Sequence, residues 1–264
     1  TAALTIGIVL RCVIRERPPV TTLYETLLFI TATAVISALV IEAFHRRGIA
    51  IALAAVLGLF GMYLSNRYEA GRGEDTMPQL IAVLDTNFWL ATHVTTISLG
   101  YAAGLLGAAI AHVFLFARLF GLKRNEPQFY RSIGRMMFGV ACFTLLFSVV
   151  GTLLGGIWAN ESWGRFWGWD PKENGALMIC LWTVAMIHAH LGGLIKDRGL
   201  AMASVFGGLV VVFSWWGVNL LGVGLHSYGF TSGILRGLVL IGVVEIAILC
   251  TGFIPRTLHP TMDQ

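Results

Sequence analysis

The sequence predicts an all-α integral membrane protein of about eight transmembrane helices, with one Trp-rich segment at its outer edge. Three observations carry this. Of the 264 residues, 56% are hydrophobic and only 12% charged, whereas soluble domains lie near one-quarter charged. Apolar runs of about the ~20 residues that a spanning helix needs recur along the chain. Only short polar connections separate them, so no soluble domain fits between, and residues 1–264 read as a single transmembrane domain.

Taken in order, the first apolar run, Thr1–Ile14, is short for a span and has no small-residue cleavage site, so it reads as a clipped helix rather than a signal peptide. Full-length candidates follow at Leu23–Phe44, Ile49–Ser65, Phe88–Phe116, Met136–Ile157, Gly175–Ile195, Leu200–Val223 and Gly233–Ile254. Between them lie Arg15-Glu-Arg-Pro-Pro, Arg46-Arg-Gly, residues 66–86, residues 121–135, the Trp-rich stretch at 158–174, Lys196-Asp-Arg-Gly and residues 225–232. Glycines recur inside the spans, at Gly100, Gly104 and Gly107, Gly151 and Gly155, Gly192 and Gly193, and Gly207 and Gly208. Such spacing lets helices approach closely in lipid, and bundle packing is the expected role.

Ten of the eighteen Lys and Arg residues fall in alternate connections and the tail, while most acids lie in the opposite set. The basic side therefore reads as cytoplasmic. The Trp-rich stretch then faces outward, together with the 66–86 and 225–232 loops. The net charge of +4 is modest and no Lys or Arg run points to nucleic acid; the lipid bilayer is the expected surround. Cys12, Cys142, Cys180 and Cys250 are scattered singly, which argues against a disulfide frame or a thiol redox motif. No H-E-x-x-H, P-loop, G-x-S-x-G or dinucleotide fingerprint occurs.

Histidines are the chemical candidates. His45 and His112 lie at inner helix ends beside basic residues, and His259 is in the tail; a solvated or headgroup-facing role is expected of these. His93 begins a long helix at its outer end, one turn after Trp89. His226 sits in Gly222-Val-Gly-Leu-His-Ser-Tyr-Gly, an outer loop. Two neutral imidazoles presented to one space suit axial ligation of a metal, against the alternative of ordinary interfacial residues. His188 and His190 lie roughly 20 Å below the Trp-rich stretch, at ~1.5 Å rise per residue. Being i and i+2 they point to nearly opposite faces, and ionisable groups at that depth are candidates for function or for a bond to a neighbouring helix. Glu42 and Glu245, at inner and middle depths, are too few for an ion relay.

The stretch Trp158 to Asn174 holds Trp158, Trp163, Phe166, Trp167 and Trp169 together with Glu161, Arg165, Asp170, Lys172 and Glu173. An aromatic belt with an interfacial amphipathic helix is the plain reading. The rings are too dense for an anchor alone. Gly164 and Gly168 would let a planar ligand approach the backbone, and Arg165 and Lys172 would meet carboxylates at its edge. A porphyrin with two propionates and an iron held by two histidines fits these features.

The segment Trp163-Gly-Arg-Phe-Trp-Gly-Trp-Asp-Pro-Lys-Glu-Asn resembles the WWD signature of haem-handling proteins in cytochrome c assembly. Its Asp-Pro-Lys-Glu ending resembles the CcsA (ResC) type of the System II pathway. Pro18-Pro-Val-Thr-Thr-Leu-Tyr-Glu-Thr is similar to that family's N-P-L-x-N-L-Y-E-S-like segment, and Asn219-Leu-Leu-Gly-Val-Gly-Leu-His-Ser-Tyr to its outer histidine loop. The likeness covers nearly the whole chain.

The resemblance implies that His93 and His226 are outer axial ligands of haem iron and that His188 is a membrane-embedded ligand, with His190 standing where the family often has Arg. It implies a haem b platform made by Trp163, Arg165, Phe166, Trp167, Trp169 and Asp170. It further implies a CcsB (ResB) membrane partner, separate or fused ahead of this chain, with thiol-reducing proteins acting indirectly. The implied activity is that of a holocytochrome c synthase, a haem lyase of the bacterial inner membrane serving the C-x-x-C-H segments of apocytochrome c. A haem exporter or chaperone of the CcmC or CcmF type, without lyase activity, is the alternative.

Overall fold

The structure is a computed structural model and describes residues 1–72, 75–80, 82–226 and 234–255. Among the described residues eight long helices form the frame: α1 (Ala2–Arg15), α2 (Leu23–His45), α3 (Ile49–Arg72), α4 (Asn87–Leu119), α5 (Pro127–Trp163), α6 (Pro171–Leu191), α7 (Asp197–Trp215) and α8 (Ile234–Thr251). No strand occurs among the described residues. The protein is an all-α integral membrane protein. Among the described residues, six helices, α2 to α7, are long and apolar enough to cross a bilayer. The other two of the expected eight, α1 and α8, are helical where the sequence puts apolar runs, at 14 and 18 residues. His259, Arg256, Glu74 and most of the 225–232 loop lie outside the described residues.

The contacts divide the chain into two compact units, residues 1–102 with 146–169 and residues 103–145 with 170–264. In the first unit α2 and α3 form a tight hairpin. A Cβ on Gly61 would come within 2.0 Å of Thr31 Oγ1, and one on Gly58 within 3.4 Å of Val35. The Arg46–Gly48 turn between them needs left-handed backbone at Arg46, φ 50°, and at Gly48, φ 74°. Glu42 serves this turn: its buried carboxylate accepts from Gly48 N at 2.6 Å and Ala50 N at 3.1 Å, satisfying amides at the start of α3. Glu25 is a second buried carboxylate with a structural task, accepting from Arg11 Nη2 at 2.9 Å and Thr21 N at 2.9 Å. Further on in this unit α4 and α5 meet through Gly100 against Ser148 and Gly151 against the backbone of Ile97, each closer than a Cβ would allow.

In the second unit the core holds Leu106, Ile110, Leu115, Ile133, Met137, Ile179, Leu200 and Val205. Gly104 admits Val211, and a Cβ on Gly208 would fall 2.7 Å from Ala108 Cβ, so α4 and α7 pack at small residues. Gly192 and Gly193 do otherwise than expected. Gly193, with φ 72° and open space around it, ends α6 instead of packing against a neighbour. His112 is another correction: it is not solvated at an inner helix end but half-buried, with Nε2 2.9 Å from Glu245 Oε2.

One helix outruns the membrane. α5 has 37 residues, roughly 55 Å at 1.5 Å per residue against about 30 Å of hydrocarbon. It therefore carries Trp158, Glu161 and Trp163 on its last turns, and the segment expected to be irregular from 158 to 174 is non-helical only from Gly164 to Asp170.

Removing the Glu42 cap leaves the Gly48 amide and the buried Ala50 amide without their acceptor. Glu42→Ala is expected to lower stability by about 1–2 kcal/mol, read as a fall in the melting temperature of detergent-purified protein, and Glu42→Gln to recover part of it.

Candidate functional site

His93 stands on an irregularity. The first turns of α4 open into a π-helical turn over Leu90–Val94, with His93 inside it, and such turns are frequent at functional positions. Thr86 caps the helix just before, accepting from Trp89 N. The His93 ring is fixed from two sides. Its Nδ1 lies 2.8 Å from the Gly151 carbonyl oxygen on α5. A Cβ on Gly155, one turn on, would fall 2.6 Å from His93 Cε1, so only glycine leaves that seat open. Trp158 lies 5.6 Å from the imidazole centroid to centroid, and stacks on Trp89 at 6.4 Å and 12°. Trp89 in turn donates its indole N–H to Glu161 Oε2 at 2.9 Å. Helix ends of α4 and α5 thus build one aromatic cluster around His93.

The turn after α5 begins at Gly164, whose φ of 69° stops the helix. Arg165 folds back over the Trp163 ring at 5.7 Å and fills the space beside Gly168, where a Cβ would meet its guanidinium. Gly168 is therefore a seat for Arg165 in this structure. Phe166 lies over Gly156, 2.5 Å from where a Cβ would be. Trp167 and Trp169 pack edge to face at 5.9 Å. Trp169 is 69% exposed and adopts left-handed backbone with φ 57°, a conformation that costs a bulky residue energy and clusters at functional positions.

The second unit holds the other cluster. Asp170 is the N-cap of α6, accepting from Lys172 N at 2.8 Å while Glu173 Oε2 accepts from Asp170 N at 3.1 Å, a capping box with Pro171 at its start. The same carboxylate lies 3.1 Å from His226 Nδ1 and accepts from His226 N at 3.2 Å. Burial pushes the Asp170 carboxyl upward, but the His226 ring and the amides of Lys172 and His226 outweigh this and hold it well below the usual carboxylate range. Lys172 does not wait for a ligand carboxylate. Its ammonium donates to the Trp215 and Ser214 carbonyl oxygens, a cation on the C-terminus of α7.

His188 and His190 take different faces of α6, as their spacing requires. His188 is exposed, with Nδ1 2.9 Å from the Val184 carbonyl oxygen. His190 is half-buried, tilted against Phe138 at 5.6 Å. Of the expected residues, the structure brings His93 together with Trp158 in one unit and Asp170 with His226 in the other. The π turn, the Gly155 seat, the Trp89–Glu161 bond and the Asp170–His226 pair had no signal in spacing alone. The Asp-Pro at a helix start was the one available hint of the cap.

This is a multi-pass helical membrane protein in which His93 Nδ1 faces the Gly151 carbonyl oxygen and His226 Nδ1 faces the Asp170 carboxylate. The sequence model of the family described as Cytochrome C assembly protein matches residues 20–226. A protein of Synechococcus sp. (strain CC9902) named cytochrome c biogenesis protein CcsA is 30% identical over 259 residues, covering 86% of this chain and 83% of that protein. The protein of the same name in Chlamydomonas reinhardtii is 37% identical over 155 residues, 57% of this chain and 43% of its own length. Protein NrfI of Wolinella succinogenes is 31% identical over 233 residues, 85% of this chain but 24% of that longer protein. No solved structure matches the chain. The chain belongs to the cytochrome c assembly protein family and is of its CcsA type.

The Gly155 seat makes a coupling measurable. Gly155→Ala is expected to lower the melting temperature by displacing the His93 ring. In a double-mutant cycle with His93→Ala the two losses should fall short of additive by about 0.5–3 kcal/mol; strict additivity would mean the ring does not occupy that seat.

Proposed function

We propose that this chain delivers haem and attaches it to apocytochrome c as one subunit of a cytochrome c synthase in the bacterial inner membrane, with the Trp-rich segment on the periplasmic side. The observation that carries this reading is the state of the two histidines. His93 Nδ1 faces the Gly151 carbonyl oxygen and His226 Nδ1 faces the Asp170 carboxylate. Both acceptors favour the proton on Nδ1, so each neutral ring carries its lone pair on Nε2, the form that ligates iron. Each ring is therefore in the form that can ligate the iron of a haem b substrate.

In this reading His93 and His226 are the axial ligands. Trp163, Arg165, Phe166, Trp167 and Trp169 receive the macrocycle and its propionates, and exposed Trp169 and Phe166 offer faces for it. Haem reaches them from a deeper position served by His188 and a histidine of a CcsB (ResB) type partner; exposure of His188 on α6 supports a role toward such a partner. The bound haem contributes vinyl groups polarised for addition. Each apocytochrome cysteine adds its sulfur and its proton across one vinyl double bond, forming a thioether with no net electron transfer. The chain's own share is orientation, which turns a bimolecular addition into a positioned one, and tuning of iron by ligand and surroundings. Thiol-reducing proteins act upstream, keeping the substrate cysteines reduced.

Purified protein is expected to show the absorption spectrum of low-spin bis-histidine haem, and His93→Ala with His226→Ala to remove it; an unchanged spectrum would sink the outer-ligand assignment. His188→Ala should lower haem loading more than His190→Ala. Co-expression with its partner and an apocytochrome, in cells without other assembly factors, should yield covalent haem, whereas bound haem with no covalent product would favour an exporter or chaperone.

A further inference from the structure

The Trp-rich motif ends in a carboxylate, and that carboxylate is fully engaged. Asp170 Oδ1 accepts from Lys172 N and lies 3.1 Å from His226 Nδ1, while Oδ2 accepts from His226 N. Its side chain is 1% exposed. Nothing of it is left to face a ligand. The loop that brings His226 back is built for this contact. Gly224 has φ 91°, a region that L side chains rarely adopt, and a Cβ there would fall 2.1 Å from Asp170 Oδ2. Gly222, at φ 62°, starts the same bend. Ring, backbone amide and loop all close on one carboxylate.

We propose that Asp170, closed over by Gly224, is the positioning residue of His226, holding the ring proton on Nδ1 and fixing the direction in which Nε2 presents its lone pair to haem iron. The proposal deepens the functional reading above and rests on His226 being a ligand. It also moves Asp170 from the residues that touch haem to those that act through another. Two consequences follow from the chemistry. A carboxylate on Nδ1 makes the imidazole a stronger donor, which favours ferric over ferrous iron. Because the same oxygen caps α6, the ring is tied to the helix start and not to a freely moving loop.

Two substitutions separate capping from positioning. Asp170→Asn keeps an acceptor of the same reach and a good cap but removes the charge. Asp170→Ser keeps the cap and is too short to reach His226. Full-length protein is purified without haem for a melting temperature, then titrated with hemin for affinity, spectrum and midpoint potential. Asp170→Asn should bind haem with the midpoint potential shifted upward. Asp170→Ser and Gly224→Ala should weaken hemin affinity by roughly 10- to 100-fold, with the haem-free melting temperature of Asp170→Ser near that of wild type. If Asp170→Asn leaves the potential, and Asp170→Ser the affinity, at wild-type values while His226→Ala alters the spectrum, Asp170 is a cap only and the proposal is overturned. If His226→Ala leaves the spectrum unchanged, the ligand assignment itself fails and takes the proposal with it.

Discussion

Every backbone amide and carbonyl within lipid must find its partner inside the protein. That constraint orders this molecule. It makes the described chain helical almost throughout, and confines irregular backbone to helix ends and turns, where the expensive groups are found. The charges follow the same logic. Glu42 satisfies amides at the start of α3, Asp170 those at the start of α6, and Lys172 the last carbonyls of α7. Arg118, 2% exposed, donates to the carbonyl oxygen of Ile254 just past α8. Ionised side chains that would be costly in the bilayer are placed where helices leave partial charges of the opposite sign. Among the described residues, few of them remain for a relay.

Glycine does the complementary work. Where α2 meets α3, where α4 meets α5 and where α4 meets α7, the approach is closer than any side chain would permit. Without a hydrophobic drive between helices in lipid, this proximity is what van der Waals contact requires. At Gly155 the same absence of a side chain makes room for an imidazole instead of a helix, and at Gly168 for a guanidinium. A single device thus assembles the bundle and opens seats in it.

Much of this was legible in advance. The apolar runs mark every long helix, because the bilayer imposes a length that composition reveals directly. The Trp-rich motif stands out because its rings are denser than an aromatic belt needs, and the histidines at 93 and 226 because the sequence places both at its level. What stayed hidden depends on contacts between residues far apart in sequence. Nothing local tells that His112 faces Glu245, that Gly155 seats His93, or that Lys172 turns to Trp215. Helix ends were also misplaced: the run Met136–Ile157 shows where α5 is apolar, and α5 continues well past it on both sides because helical hydrogen bonding does not stop at the lipid.

The π turn at Leu90–Val94 has a geometric meaning for α4. Such a turn accommodates one residue more than the regular helix around it, and one residue corresponds to about 100° of rotation. His93 is therefore clocked independently of the glycine face further along the same helix. The azimuth that points an imidazole at the Gly151 carbonyl and the azimuth that turns Gly100 toward Ser148 need not agree on a uniform spiral. An inserted residue lets one continuous rod satisfy both.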